Sequence, residues 1–255
     1  MKKVNILIVD GRVELMAPLV EVFQRKGYNV TVVENGDEAI GLLEKKNFDV
    51  LLTPPRMPGV GGVWDFRVVK RLWPSMAVVI VNSVSEKKEV AGILESEIEA
   101  IVDKPFNVKK LMDTVESILE VPLILIVDYR VEDREALRNM LAERRYRVLV
   151  AKNEGEAIEM VRERDFDVML LDVGMAGTDG MEVLETVKKI RPDTEVVMMI
   201  DYSSLRLVGD LLKKGAYTCL YKPFLDIDKL VKVIQEVQSQ RRTYTSLTNS
   251  QFPHN

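Results

Sequence analysis

Ile6-Leu7-Ile8-Val9-Asp10 returns as Ile124-Leu125-Ile126-Val127-Asp128, at an offset of 118 residues. Four apolar residues in a row, closed by an aspartate, are too few for a buried helix and suit a strand covered on both faces. The same offset of 118 carries Phe48-Asp49-Val50 onto Phe166-Asp167-Val168, Met57 onto Met175, and Lys104-Pro105-Phe106 onto Lys222-Pro223-Phe224. Solenoid repeats have periods of roughly 20–50 residues, so a period this long is a duplicated domain. The boundary falls near Glu120, which predicts domains over 1–120 and 121–238. The remainder, 239–255, is polar and aperiodic, and reads as a disordered tail or the frayed end of the last helix.

In the first copy, short apolar runs at 6–9, 30–33, 50–52, 77–81 and 100–102 alternate with amphipathic stretches at 12–26, 37–46, 63–71, 86–95 and 107–119. This is a (βα)5 pattern. It predicts the α/β class, with an open, doubly wound parallel sheet in each half. At 47% hydrophobic and 30% charged, the composition is globular rather than disordered. Lys and Arg number 36 against 40 Asp and Glu, a net charge of -4, so no basic field is available for nucleic acid or an anionic membrane. Cys219 is the single cysteine and His254 the single histidine, which leaves no internal disulfide, metal cluster or His-based triad. No apolar run approaches the roughly 20 residues of a membrane span, and the start does not have the form of a signal peptide. A cytoplasmic location is expected.

In open parallel sheets the ligand site lies beyond the carboxyl ends of the strands. In the second copy those ends present Asp128, Asp172, Ile200 and Lys222. Two carboxylates converging with one ammonium form a Mg2+ and phosphoryl site, because oxygen ligands suit a hard cation and the lysine offsets transferred charge. Asp172 is the candidate nucleophile, and a carboxylate needs no general base for that role.

Over 3–120 and 121–238 the chain resembles the receiver domains of bacterial two-component response regulators. The resemblance rests on Ile-Val-Asp at strand one, on Phe-Asp-Val followed in the second copy by Leu-Leu-Asp172, on Met57-Pro58-Gly59, and on Lys-Pro-Phe after strand five. It implies a flavodoxin-like sheet of order 2-1-3-4-5. It also implies Mg2+-dependent phosphorylation of the strand-three Asp, with Asp128, Asp172 and the Gly174 backbone carbonyl around the metal and Lys222 at the phosphoryl group. A Ser/Thr ending strand four and an aromatic residue on strand five would read the modification.

Several positions depart from that pattern. In the first copy Pro54 stands where the acceptor should be, and Gly11 replaces the second acid, leaving Asp10 and Lys104 with the hydroxyl of Ser83 as the switch. Proline has no nucleophile, so no phosphorylation is expected there. In the second copy Tyr129 replaces the second acid, Ile200 the switch hydroxyl and Cys219 the strand-five aromatic. Asp201 adds a negative charge that would oppose a phosphoryl dianion. Ser83 lies 21 residues before Lys104 whereas Ile200 lies 22 before Lys222, which suggests a one-residue loss around helix four of the first copy. Arg12 and Arg130 each stand two residues after the first-strand Asp. Either guanidinium could substitute in part for the metal, although a solvated Arg in a first helical turn is the plainer reading.

The resulting expectation is a tandem receiver protein without an output domain, not an enzyme. Its first domain is a pseudo-receiver used for protein docking; its second accepts a phosphoryl group on Asp172, with Mg2+ bound in that domain only. Expected partners are a sensor histidine kinase or phosphotransfer protein, other signalling proteins, and a second copy of the chain. The alternatives are a phosphorylation-independent scaffold or the regulatory part of a larger regulator. Flavin or dinucleotide binding is disfavoured, because neither Gly11-Arg12-Val13 nor Tyr129-Arg130-Val131 forms a phosphate-cradling loop.

Overall fold

The Phe-Asp-Val motif has a structural use in both halves. Asp49 accepts the amide of Asn5 at 2.9 Å and Asp167 accepts that of Leu123 at 2.7 Å, so each aspartate fastens the start of strand one to the start of strand three. Phe48 and Phe166 are buried beside them. The computed structural model describes residues 4–59, 62–83, 98–174, 180–223 and 227–251. It divides into two compact units, Met1–Val121 and Pro122–Asn255.

In the first unit the strands are β1 (Asn5–Val9), β2 (Asn29–Val33), β3 (Val50–Thr53), β4 (Arg56–Gly59), β5 (Gly62–Asp65), β6 (Ala77–Asn82) and β7 (Ala100–Asp103). The helices are α1 (Ala17–Arg25, after a 3-10 turn Val13–Met16), α2 (Gly36–Leu43), α3 (Phe66–Leu72) and α4 (Val108–Leu119). The second unit contains β8 (Leu123–Val127), α5 (Val131–Glu143), β9 (Arg147–Ala151), α6 (Glu154–Glu163), β10 (Val168–Asp172), α7 (Gly180–Ile190), β11 (Glu195–Ile200), α8 (Val208–Lys213), β12 (Thr218–Tyr221) and α9 (Ile227–Gln251). The parallel sheets run β2-β1-β3-β6-β7 and β9-β8-β10-β11-β12. With the β4–β5 pair set aside, both orders are 2-1-3-4-5, as the resemblance implies.

All five residues of β8 and of β10 are buried, because helices cover both faces of the sheet. Leu125, Val127, Met169 and Leu171 face one apolar cluster; Ile124, Ile126, Val168 and Leu170 face the other. The copies also share helix starts. Asn35 caps α2 by accepting the amide of Glu38, and Asn153 caps α6 through that of Glu156; each glutamate reaches back to the amide preceding its cap. No helix among the described residues is long and apolar enough to cross a membrane.

Two expectations change. The helix expected over 63–71 begins only at Phe66, capped by Asp65, and is preceded by an antiparallel pair in which Met57 faces Trp64. Glycines at 59, 61 and 62 disfavour a helix there, and Val63-Trp64 suit a strand. In the second unit α7 starts at Gly180 directly against the end of β10, where a Cβ would lie 2.9 Å from the Asp172 carbonyl. The segment from Ser239, expected to be disordered or to fray from the last helix, continues α9 to Gln251. No Gly or Pro interrupts 227–251, so nothing in the backbone stops the helix before Pro253. The helix expected over 86–95 lies outside the described residues, as does Met175.

Candidate functional site

Parallel pairing of β8, β10, β11 and β12 delivers their carboxyl ends to one edge of the second sheet. There the Lys222 ammonium lies 2.5 Å from Asp128 Oδ2 and 3.1 Å from Asp172 Oδ1. These side chains are 9%, 0% and 6% exposed, so the cluster is buried. Asp128 Oδ1 accepts the amide of Arg130 at 2.9 Å, and Gly174 donates its amide to Asp172. Burial pushes the Asp172 carboxyl above its ordinary range; Lys222 opposes this and the neighbouring Asp128 charge adds to it. One ammonium is thus shared by two carboxylates, and the cluster keeps a surplus of negative charge.

A cavity of about 440 Å³ opens onto this edge, lined by Asp172, Gly174, Lys222, Asp201, Tyr129 and Arg130 among others. Asp201 is exposed and caps the following 3-10 turn. Its Oδ1 accepts the Ser203 hydroxyl at 2.6 Å and the Ser204 amide at 3.1 Å, and these bonds hold its carboxyl below the usual range. Ile200 is fully buried in the core, and its carbonyl accepts the Lys222 amide at 2.8 Å. Cys219 packs against the same core, and burial pushes its thiol up. The Arg130 guanidinium pairs with Asp133 at 2.6 Å and stands 3.9 Å from Asp128, so it sits at the rim.

The first unit assembles less. Lys104 pairs with Asp10, which also accepts the amide of Arg12 at 2.9 Å. Burial pushes the Asp10 carboxyl up, but the Lys104 and Arg12 contacts together outweigh it and hold the group below its ordinary range. Arg12 itself is exposed. Pro54 follows β3 at the acceptor position, and the buried Thr53 hydroxyl donates to its carbonyl at 3.0 Å.

Strand pairing corrects the switch position. Asn82 faces Asp103 at the end of β6, and its carbonyl accepts the Lys104 amide at 2.7 Å, as that of Ile200 accepts the Lys222 amide. Asn82, not Ser83, is therefore the counterpart of Ile200, and Ser83 is that of Asp201. The offset of 118 holds at both, so the one-residue loss does not exist. The Asn82 amide donates to Asp103 Oδ1 at 2.7 Å, while its buried Oδ1 has no partner among the described residues. Two further residues, Arg134 and Tyr202, escape the sequence reading. Arg134 is buried and donates to the Asp128 carbonyl at 2.7 Å. Tyr202 and Tyr221 stack at 6.0 Å beside Asp201 and Lys222.

The donor set fits Mg2+, which binds through one or two carboxylates and retains several waters. Asp128 and Asp172 supply the carboxylates, with unbalanced charge for a cation to meet. Among the described residues no group of three acidic, His or Cys side chains gathers at one point, so the set is smaller than the three-acid pattern.

A sequence model of the response regulator receiver domain matches residues 6–116 and 124–235. The transcriptional regulatory protein ZraR of Klebsiella oxytoca is 40% identical over 119 residues, covering 47% of this chain and 27% of that protein. A response regulator receiver protein of Anaeromyxobacter sp. (strain Fw109-5) is 26% identical over 239 residues, covering 92% of this chain and 95% of its own. A CheY-like receiver domain structure from Methanospirillum hungatei JF-1 is 27% identical, covers 49% of this chain and 98% of its own, and superposes with a TM-score of 0.46. The chain thus spans about a quarter of the length of the transcriptional regulator.

Proposed function

The chain belongs to the response regulator receiver domain family, with two such domains in tandem, and we propose that only the second exchanges phosphoryl groups in two-component signalling. The observation that carries this reading is Lys222 spanning two buried carboxylates in the second unit, whereas in the first unit, among the described residues, Lys104 pairs with Asp10 only and Pro54 stands at the position of Asp172. In the proposed step an Asp172 carboxylate oxygen attacks the phosphorus of a phosphohistidine on a kinase or phosphotransfer protein. A P–O bond forms, the P–N bond breaks, and the imidazole leaves and takes a proton. Asp128, Asp172 and the Gly174 carbonyl are the groups that would hold Mg2+. When bound, the cation offsets negative charge on the transferred group.

The chain's own residues do the rest. Lys222 balances charge and fixes both carboxylates, and burial keeps bulk water off the acyl phosphate. The first domain acts by docking to signalling proteins or to a second copy of the chain, since proline can accept nothing. A second reading, a scaffold independent of phosphorylation, draws support from Ile200, which brings no hydroxyl to the site, and from the Asp201 charge at its mouth.

Intact mass after treatment with a small acyl phosphate and Mg2+ distinguishes the two. Wild type should gain one phosphoryl group and Asp172→Ala none. No gain in either chain would establish the scaffold reading.

A further inference from the structure

Position 134 differs from its counterpart 16 in a way that packing alone does not explain. Met16 is 7% exposed in the apolar core of the first unit; Arg134 is 9% exposed in the second. Burying a guanidinium is costly, and this one bears two further costs. It stands in the first turn of α5, where the helix dipole opposes a cation. Its Nε is buried and finds no acceptor among the described residues. A methionine fills the equivalent place without any of these penalties, so the arginine is retained for what it touches.

It touches the acceptor site. Asp10 and Asp128 make parallel sets of contacts. The amide of each bonds strand two, one carboxylate oxygen accepts the amide two residues on, and the other accepts the strand-five lysine. Asp128 has one more bond, from Arg134 Nη1 to its carbonyl, and a methionine at position 16 cannot donate one. The extra bond occurs in the half that keeps Asp172.

We infer that Arg134 is a positioning residue: by holding the Asp128 carbonyl it fixes the turn after β8, so that the Asp128 carboxylate stays aimed at Lys222 and the cation it would share with Asp172. This rests on the proposed function of the second domain, and it assigns Arg134 no contact with the phosphoryl group. Groups that orient metal ligands in this way typically change metal affinity by about 10–100-fold when removed.

The test uses the full chain and Mg2+ alone as the probe. Calorimetric titration, thermal unfolding and phosphoryl uptake from a small acyl phosphate are compared for wild type, Arg134→Met and Arg134→Lys. Arg134→Met, borrowing the residue of the first half, should melt no lower than wild type, bind Mg2+ at least about tenfold more weakly, and take up phosphoryl groups correspondingly more slowly. Arg134→Lys, which keeps a donor for the carbonyl, should recover most of both. Wild-type Mg2+ affinity in Arg134→Met overturns the inference alone. Equal losses in the two variants with a lowered melting temperature assign Arg134 to support of the fold and also overturn it. A wild-type chain that takes up neither Mg2+ nor a phosphoryl group overturns the proposed function, and the inference with it.

Discussion

In the first half Lys104 has one carboxylate to hold, and both partners keep some contact with water, at 21% and 10% exposure. In the second half Lys222 holds two, both more deeply buried. The backbone that presents the lysines is the same, down to the amide bond from each to the end of strand four. What separates the two sites is therefore the side-chain inventory at the strand ends. The second carboxylate adds buried negative charge to the second site, and it makes that half depend more heavily on its lysine.

The largest effect should come from removing that lysine. Lys222→Met leaves two buried carboxylates facing each other, and breaking a buried ion cluster from one side costs about 4 kcal/mol. Lys104→Met strands one largely buried carboxylate instead of two, and should cost less, about 3 kcal/mol. Both tryptophans, Trp64 and Trp73, lie in the first half. Urea unfolding followed by tryptophan emission therefore reports that half, while far-ultraviolet dichroism reports both. Equal losses from the two substitutions would break the comparison.

A smaller difference should appear at the end of strand four. Ile200 is fully buried in the core, whereas Asn82 at the same register leaves an amide oxygen buried without a partner among the described residues. Ile200→Asn should cost about 3 kcal/mol, from lost apolar burial and a poorly satisfied amide. The reverse exchange, Asn82→Ile, releases only the exposed Asp103 to water and removes the orphaned oxygen, so the first half should gain about 1 kcal/mol. A comparable loss in both directions would mean that the Asn82–Asp103 bond is integral to the first half.

These residues also mark how far the sequence is legible. The sheets are readable because the sheet strands are short apolar runs closed by a polar or charged residue, and the offset of 118 supplies a second copy of most landmarks. Aspartates at the strand ends likewise point to the candidate site, since topology dictates where those ends meet. Reading the switch by its hydroxyl selects Ser83, but strand register ignores side-chain chemistry and places Asn82 there. The hairpin of β4 and β5 is hidden because the helical pattern of its neighbours extends over it, and only the glycines at 59, 61 and 62 dissent. Arg134 looks like one more solvated helix arginine. The signal that could have exposed it is its pairing, across the offset, with the apolar Met16.

The smallest and most diagnostic contrast is in acid, where the two aspartates should act with opposite sign. Asp10 is held below its ordinary range in the folded chain, so it contributes stability that is present above its unfolded value, about pH 4, and is lost as the pH falls through the lower folded value. Asp172 is pushed above its ordinary range, so the native state binds a proton before the unfolded state does. As the pH falls from the raised folded value towards about 4, the second half should gain stability from this group; above that window it carries the full penalty of burying the charge. Asp172→Asn should therefore raise the urea midpoint of the second half at neutral pH, with the advantage shrinking towards about pH 4. Asp10→Asn should lower the midpoint of the first half at neutral pH, with the deficit closing only in stronger acid. Should Asp172→Asn instead lower the midpoint at neutral pH, Lys222 compensates both carboxylates in full. The second site would then hold no surplus charge, and the physical basis for its differing from the first would be lost.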